Sequence, residues 1–196
     1  MSSQLISLII FGIAASFSPG PNNILTSYSA YNFGFKKTIP TIIGVVTGWT
    51  LLSILLILVS AVIFAKFENL QVIIKILGSI YLIFLAYKIS FSEIKSEKKV
   101  RKPVAFINTF FFQFVNPKSI IAGSTAVSLF IDIQSDYLRD SIIFVIVMFI
   151  AAVGSQSAWC LMGTYLRKFA TSQKFISNFN YTMSFLLIVC VIMFYV

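Results

Sequence analysis

Lys118 stands near the middle of an apolar run, within Asn116-Pro117-Lys118-Ser119. A lysine at the centre of a membrane helix costs roughly 2.5–3.5 kcal/mol on insertion scales, which marks it as a candidate functional group. No carboxylate shares the run with it. Glu68, Glu93, Glu97, Asp132, Asp136 and Asp140, the whole acidic complement, fall in or beside polar connectors. Beside Lys118 there is instead a helix start, because proline suits the first helical position and Asn116 suits the cap before it. A second start is written in Ser18-Pro19-Gly20-Pro21-Asn22-Asn23. Pro19 and Pro21 lack N–H groups, so the carbonyls of Ala15 and Phe17 lose their helical donors. Gly20 allows the chain to bend there, and Asn22 and Asn23 are candidate caps for the helix that resumes. Helix N-termini attract anions through unpaired N–H groups and the helix dipole. Two such ends and one ammonium form a site suited to a carboxylate. The freed carbonyls of Ala15, Phe17 and Gln113 suit an ammonium. Gln156, in Gly154-Ser155-Gln156-Ser157, is polar within another apolar run and reads equally as a lining residue or as an interhelical hydrogen-bonding group.

These residues require helices long enough to cross a bilayer, roughly 20 apolar residues each. Six spans meet that need: about 4–31, 39–64, 70–89, 104–130, 141–164 and 178–196. The first and fourth contain the proline breaks. Pro19 and Pro117 lie 98 positions apart, half of the 196-residue chain. The fold class expected is an all-α integral membrane protein of six transmembrane helices arranged as a 3+3 inverted repeat, with proline-broken first and fourth helices. One domain covers 1–196, with halves of about 1–90 and 104–196 joined by a basic connector. Either break alone reads equally as a structural kink, and a lysine can snorkel to an interface. Two breaks at matched positions, one with a lysine in mid-span, favour a site.

Composition agrees with a membrane protein, being 58% hydrophobic and only 11% charged, against roughly 25% charged in soluble domains. The net charge of +9 follows from the connectors, so anionic lipid head groups are the expected polyanion and nucleic acid is not. Lys36 and Lys37, then Lys88, Lys95, Lys98, Lys99, Arg101 and Lys102, then Arg167, Lys168 and Lys174 fall on one side; Lys66 and Arg139 fall on the other. By the positive-inside rule the first set is cytoplasmic and both termini are outside. The opening apolar stretch lacks the basic n-region of a signal peptide and reads as a retained span.

Several function classes lose their support. There is no histidine and no intramembrane acid to build an acid–base or nucleophilic site, so no enzyme is expected. Cys160 and Cys190 make no paired motif, which leaves no metal site, no thiol-redox centre and no cofactor. Trp49 and Trp159 read as packing residues, and Gly44-x-x-x-Gly48 as close helix packing within the chain. A membrane structural or assembly protein, or a transporter of another small solute, stays open as an alternative. Nothing in the sequence decides between a monomer and a homo-oligomer.

Phe17-Ser18-Pro19-Gly20-Pro21-Asn22-Asn23, Gly34, Gly44, Leu77-Gly78-Ser79-Ile80-Tyr81-Leu82 with Tyr87-Lys88, and Asn116-Pro117-Lys118 together resemble the LysE/RhtB amino-acid exporter family. The chain departs from that pattern at Ala86 and Thr109, where the family carries Gly, and at Gln113, where it carries Asn. The resemblance implies an inner-membrane exporter of amino acids or related metabolites driven by proton exchange. Lys118 would then either meet the substrate carboxylate or alternate its protonation. With no acidic group near the breaks, small zwitterions are expected to be favoured over lysine or arginine, whose second ammonium would lack a counter-charge.

Overall fold

In the computed structural model, residues 2–66, 102–131, 136–168 and 173–193 are described, together with 76, 77, 79, 80, 83, 84, 86, 87 and 90. The expected third span, 70–89, is thus covered in part, and its described residues are helical. Lys75, Lys88 and most of the basic connector, with Lys95, Lys98, Lys99 and Arg101, lie outside the described residues.

The described elements are all helical: α1 Ser2–Phe17, α2 Pro21–Phe33, α3 Phe35–Lys66, α4 Phe106–Phe112, α5 Pro117–Phe130, α6 Tyr137–Lys168 and α7 Gln173–Met193. The segments Phe35–Val59 and Tyr137–Lys168 are each long and apolar enough to cross a membrane, and so are Gln4–Phe17 and Pro21–Phe33 taken as one bent span. The helices run several residues past the apolar stretches, as at Lys66 and Lys168. Hydropathy locates only the part that needs an apolar solvent, whereas the backbone ladder continues into the polar margin.

The α1–α2 junction bends by 53°. Its cause is local. Pro19 and Pro21 cannot donate to the preceding turn, so the ladder of α1 stops at Ser18, whose N–H still reaches Ala14 O at 3.2 Å. It resumes where Ile24 N–H bonds Gly20 O at 3.0 Å. Between α4 and α5 the chain tightens instead, through bonds from Gln113, Phe114 and Val115 N–H to carbonyls three residues back.

Helix α2 is enclosed on nearly every side although it carries Asn23, Thr26, Ser27 and Ser29. Packing this close needs small residues on its neighbours. Gly163 of α6 lies so near Ser27 O that a Cβ there would overlap it. Polar side chains of α2 find partners at neighbouring elements: Ser29 Oγ lies 3.1 Å from Thr38 Oγ1, and Asn32 donates to Asn180 Oδ1 at 3.2 Å.

The backbone of α4 lies directly on α3. A Cβ at Gly44 would overlap Phe106 O, and one at Gly48 would come within 2.6 Å of Phe110 O. Hydroxyl bonds stitch the same seam, from Thr41 to Val104 O at 2.6 Å and from Thr109 to Thr41 O at 3.1 Å. The Gly44-x-x-x-Gly48 pair therefore packs within the chain.

Two apolar clusters flank the α1–α2 junction along the chain. One holds Leu8, Leu52, Leu56, Ile120, Phe144 and Met148; the other holds Ile24, Leu25, Tyr28, Phe112, Met183 and Leu187. Large apolar residues also face outward, among them Ile6, Ile10 and Ile13 of α1 and Leu138, Ile142 and Ile146 of α6. Rows of this kind at helical spacing suit a lipid solvent.

Candidate substrate site between two helix starts

The residues 18–23 and 113–119 meet across the fold. Helix α5 begins as its local sequence dictates, with Asn116 as cap, its side chain accepting from Lys118 N–H at 3.2 Å, and Pro117 in the first turn. That start sends the Lys118 side chain to the end of α1. Its ammonium donates to Ser18 O at 2.9 Å, Ser18 Oγ at 2.8 Å and Pro19 O at 3.2 Å. A cation just past the end of a helix is favoured by the negative end of its dipole. Lys118 thus ties together two junctions that are 100 residues apart in sequence. Gly20 makes room for it, since a Cβ there would lie 2.8 Å from Nζ and 2.9 Å from Cδ.

Amides complete the layer. Gln113 is fully buried and forms a reciprocal pair with Asn22, Nδ2 to Oε1 at 2.9 Å and Nε2 to Oδ1 at 3.0 Å. It also donates to Thr109 O at 2.8 Å and accepts from Ser119 Oγ at 3.1 Å. Asn23 reaches back over the junction to Ser16 O at 2.8 Å and Ser18 O at 2.9 Å. Its own Oδ1 accepts from Gln156 Nε2 at 2.7 Å, while Thr26 donates to Gln156 Oε1. Ser155 adds a bond to Ser16 O at 2.7 Å. Buried amides of this kind are worth little individually but cost about 1–3 kcal/mol when left without a partner, so the layer holds the junction in one shape.

A cavity of about 60 Å³ opens beside this layer, lined in part by Gly20, Asn22, Asn23, Asn116, Lys118, Ser119 and Gln156. On the same measure one water needs roughly 10–15 Å³, so the space suits a small guest. The N-terminal ends of α2 and α5 both border it, and among the described residues no Asp or Glu does. The arrangement offers an anion two positive helix ends and the nearby charge of an ammonium whose three N–H groups are bonded to Ser18 and Pro19.

Residues 13–196 match the family described as LysE type translocator. The chain belongs to that family. It is a membrane protein of a translocator family, which is not a class of enzyme. Among its relatives, a cysteine/O-acetylserine efflux protein of Salmonella paratyphi A (strain ATCC 9150 / SARB42) is 29% identical over 196 residues, spanning 98% of this chain and 98% of its own. A protein of the same description from Escherichia coli (strain K12) is 27% identical over 184 residues, spanning 93% of this chain and 92% of its own. No solved structure matches the chain.

In this LysE type translocator, the residues singled out from sequence take four positions. Gly20, Pro21, Asn22, Asn23, Asn116, Lys118 and Gln156 line the cavity. Ser18 and Pro19 hold the Lys118 ammonium. Gln113 stands behind Asn22 and Ser119, and Pro117 occupies the first turn of α5.

Two expectations are corrected. Asn22 and Asn23 do not cap α2: the cap is Gly20, with Pro21 in the first turn and no side-chain cap bond. Proline's fixed φ makes it the first helical residue, which leaves the two asparagines inside the helix and frees their amides for Gln113 and for Ser16 O and Ser18 O. Nor do the carbonyls of Ala15 and Phe17 stand open for an ammonium. Ala15 O accepts from Ser18 Oγ at 3.0 Å, and Phe17 O from Trp159 Nε1 at 3.3 Å. Trp159 is therefore a hydrogen-bond donor to the junction as well as a packing residue.

The sequence reading missed Trp49, Val45, Ala122, Met148 and Ala152, which give the cavity its large apolar lining. The one signal that singles any of them out is register, because Met148 and Ala152 precede Gln156 at intervals of four on α6.

Proposed function

We propose that this protein exports small zwitterionic amino acids, of the class of cysteine and O-acetylserine, across the bacterial inner membrane. The observation that carries the reading is the convergence of two helix N-termini and Lys118 on one small cavity that no acidic residue lines among the described residues. A substrate carboxylate meets the positive helix ends and the ammonium there. The α-ammonium is left to the amide and hydroxyl oxygens of the same layer. Cysteine and O-acetylserine share that zwitterionic head and differ in an uncharged tail, and the relatives' descriptions support the class. Lysine would bring a second ammonium to a cavity whose described lining holds no counter-charge for it.

The architecture proposed is the 3+3 inverted repeat of six spans in a single domain 1–196, with broken first and fourth helices, a cytoplasmic basic connector and both termini outside. The bent α1–α2 pair and the α4–α5 junction support it, as does the meeting of the two junctions at one layer. Export is coupled to proton exchange in this reading, with Lys118 as substrate ligand or proton carrier, and the basic connectors rest on anionic lipid.

The test is efflux from vesicles containing the purified protein and preloaded with labelled cysteine, O-acetylserine or lysine. Cysteine and O-acetylserine should leave above the rate of protein-free vesicles and lysine should not. Lysine leaving fastest, with the other two at background, would refute the charge argument.

A further inference from the structure

The cavity lining has two chemically distinct parts. Beyond the amides and Lys118, along the same helices, the lining turns apolar at Val45, Trp49, Ala122, Met148 and Ala152. We infer that the exported amino acid lays its side chain against this apolar wall, which sets the longest and bulkiest side chain the protein accepts. The inference rests on the amino-acid export reading and adds to it the residues that select the substrate.

Helix geometry gives the direction. On α5, Lys118 and Ala122 both border the cavity and stand one turn apart, about 6 Å along the axis. On α6, Gln156, Ala152 and Met148 border it at successive turns, so Met148 lies about 12 Å from the Gln156 level. Gln156 belongs to the polar layer through Asn23; Met148 belongs to the apolar cluster with Leu52, Leu56 and Phe144. A guest whose carboxylate sits at Lys118 has the paired amides of Asn22 and Gln113 on one side. The open course for its side chain runs along α5 and α6, past Ala122 and Ala152, towards Trp49 and Met148.

The two alanines leave the space and the two large residues close its end. Trp49 is held against α5, where a Cβ on Gly123 would meet its ring at 3.2 Å. Met148 Sδ is held against α1 in the same way, 3.2 Å from a Cβ built on Gly12. Val45, Trp49, Ala122, Met148 and Ala152 supply no charge and, apart from the Trp49 indole N–H, no side-chain hydrogen-bonding group beyond a weakly accepting thioether. The wall therefore discriminates by length and bulk.

Cysteine and O-acetylserine provide the measurement, since their heads are identical and their uncharged tails differ, a short thiol in one and a longer acetyl ester in the other. The ratio of their efflux rates cancels both the Lys118 end of the site and the amount of protein in the membrane. Ala152→Leu, and separately the milder Ala122→Val, should lower the O-acetylserine-to-cysteine ratio by about tenfold or more, the scale on which an apolar pocket discriminates a methylene. Trp49→Ala should raise the ratio of phenylalanine to cysteine efflux by a similar factor. Wild-type vesicles that move both solutes, with both ratios unchanged in all three variants, would overturn this inference and leave the export reading standing. Wild-type vesicles that move neither solute would overturn both.

Discussion

Replacing Gly20 by alanine separates the position of the Lys118 ammonium from its presence. Gly20 has φ −173° and ψ 173°, an extended backbone open to any residue, so the substitution does not strain the chain. Its Cβ would lie 2.8 Å from Lys118 Nζ, 2.9 Å from Cδ and 3.3 Å from Cε. These atoms belong to a flexible arm, which yields before the helices do. The ammonium then leaves Ser18 O, Ser18 Oγ and Pro19 O. A hydrogen bond to a charged group contributes about 1.5–3 kcal/mol. With water replacing part of the set, the net loss is about one such bond, which corresponds to roughly 10- to 150-fold. Efflux of cysteine per unit of membrane-inserted protein should fall by up to that factor in Gly20→Ala, and thermal unfolding in detergent should drop by no more than the loss of one such bond. Gly154→Ala is the matched control, because its Cβ would meet only Phe17 Cζ at an ordinary 3.8 Å, and its efflux should be unchanged. A Gly20→Ala protein that exports at the wild-type rate would refute the claim that the ammonium must stand at the junction.

Two other outcomes follow from separate parts of the fold. Gly48→Ala drives a Cβ to 2.6 Å from the Phe110 carbonyl, a backbone atom with nowhere to go; folded protein recovered from the membrane should fall severalfold, and wild-type recovery would contradict the α3–α4 contact. With Cys160 and Cys190 replaced, Ser135→Cys should react with an impermeant thiol reagent in intact cells and Ser96→Cys only after permeabilisation. The reverse labelling pattern would invert the proposed topology.

The parts of the site legible in the sequence are those set by chemistry within one turn. The N–H groups missing at Pro19, Pro21 and Pro117 fall where helices end or begin, whereas Pro40 lies within the first turns of α3 without ending it, and Asn116 before Pro117 caps the helix that resumes. The same local logic went wrong at Asn22 and Asn23, where two rules competed for one helix start and proline at the first position prevailed. Contacts between distant residues left no mark of that kind. The Asn22–Gln113 pair spans 91 positions and the Thr26–Gln156 bond spans 130, and nothing about a lone glutamine states which amide it will meet. Trp49 and Met148 look like any other apolar residue until the helices carrying them are brought to the same cavity. The freed carbonyls were foreseeable, and so was a donor in Ser18 three residues after Ala15. The Trp159 indole that meets Phe17 O comes from 142 positions away.

Lys118 carries the central claim, and Lys118→Met examines it most directly by keeping most of the arm and removing the charge. The measurement is efflux of preloaded cysteine from vesicles holding equal amounts of wild-type or variant protein, verified as folded by the same thermal unfolding. The account predicts that Lys118→Met falls to the rate of protein-free vesicles. Lys118→Arg, which keeps a cation in a different shape, should retain part of the flux. Wild-type efflux from a well-inserted, folded Lys118→Met protein would contradict the account.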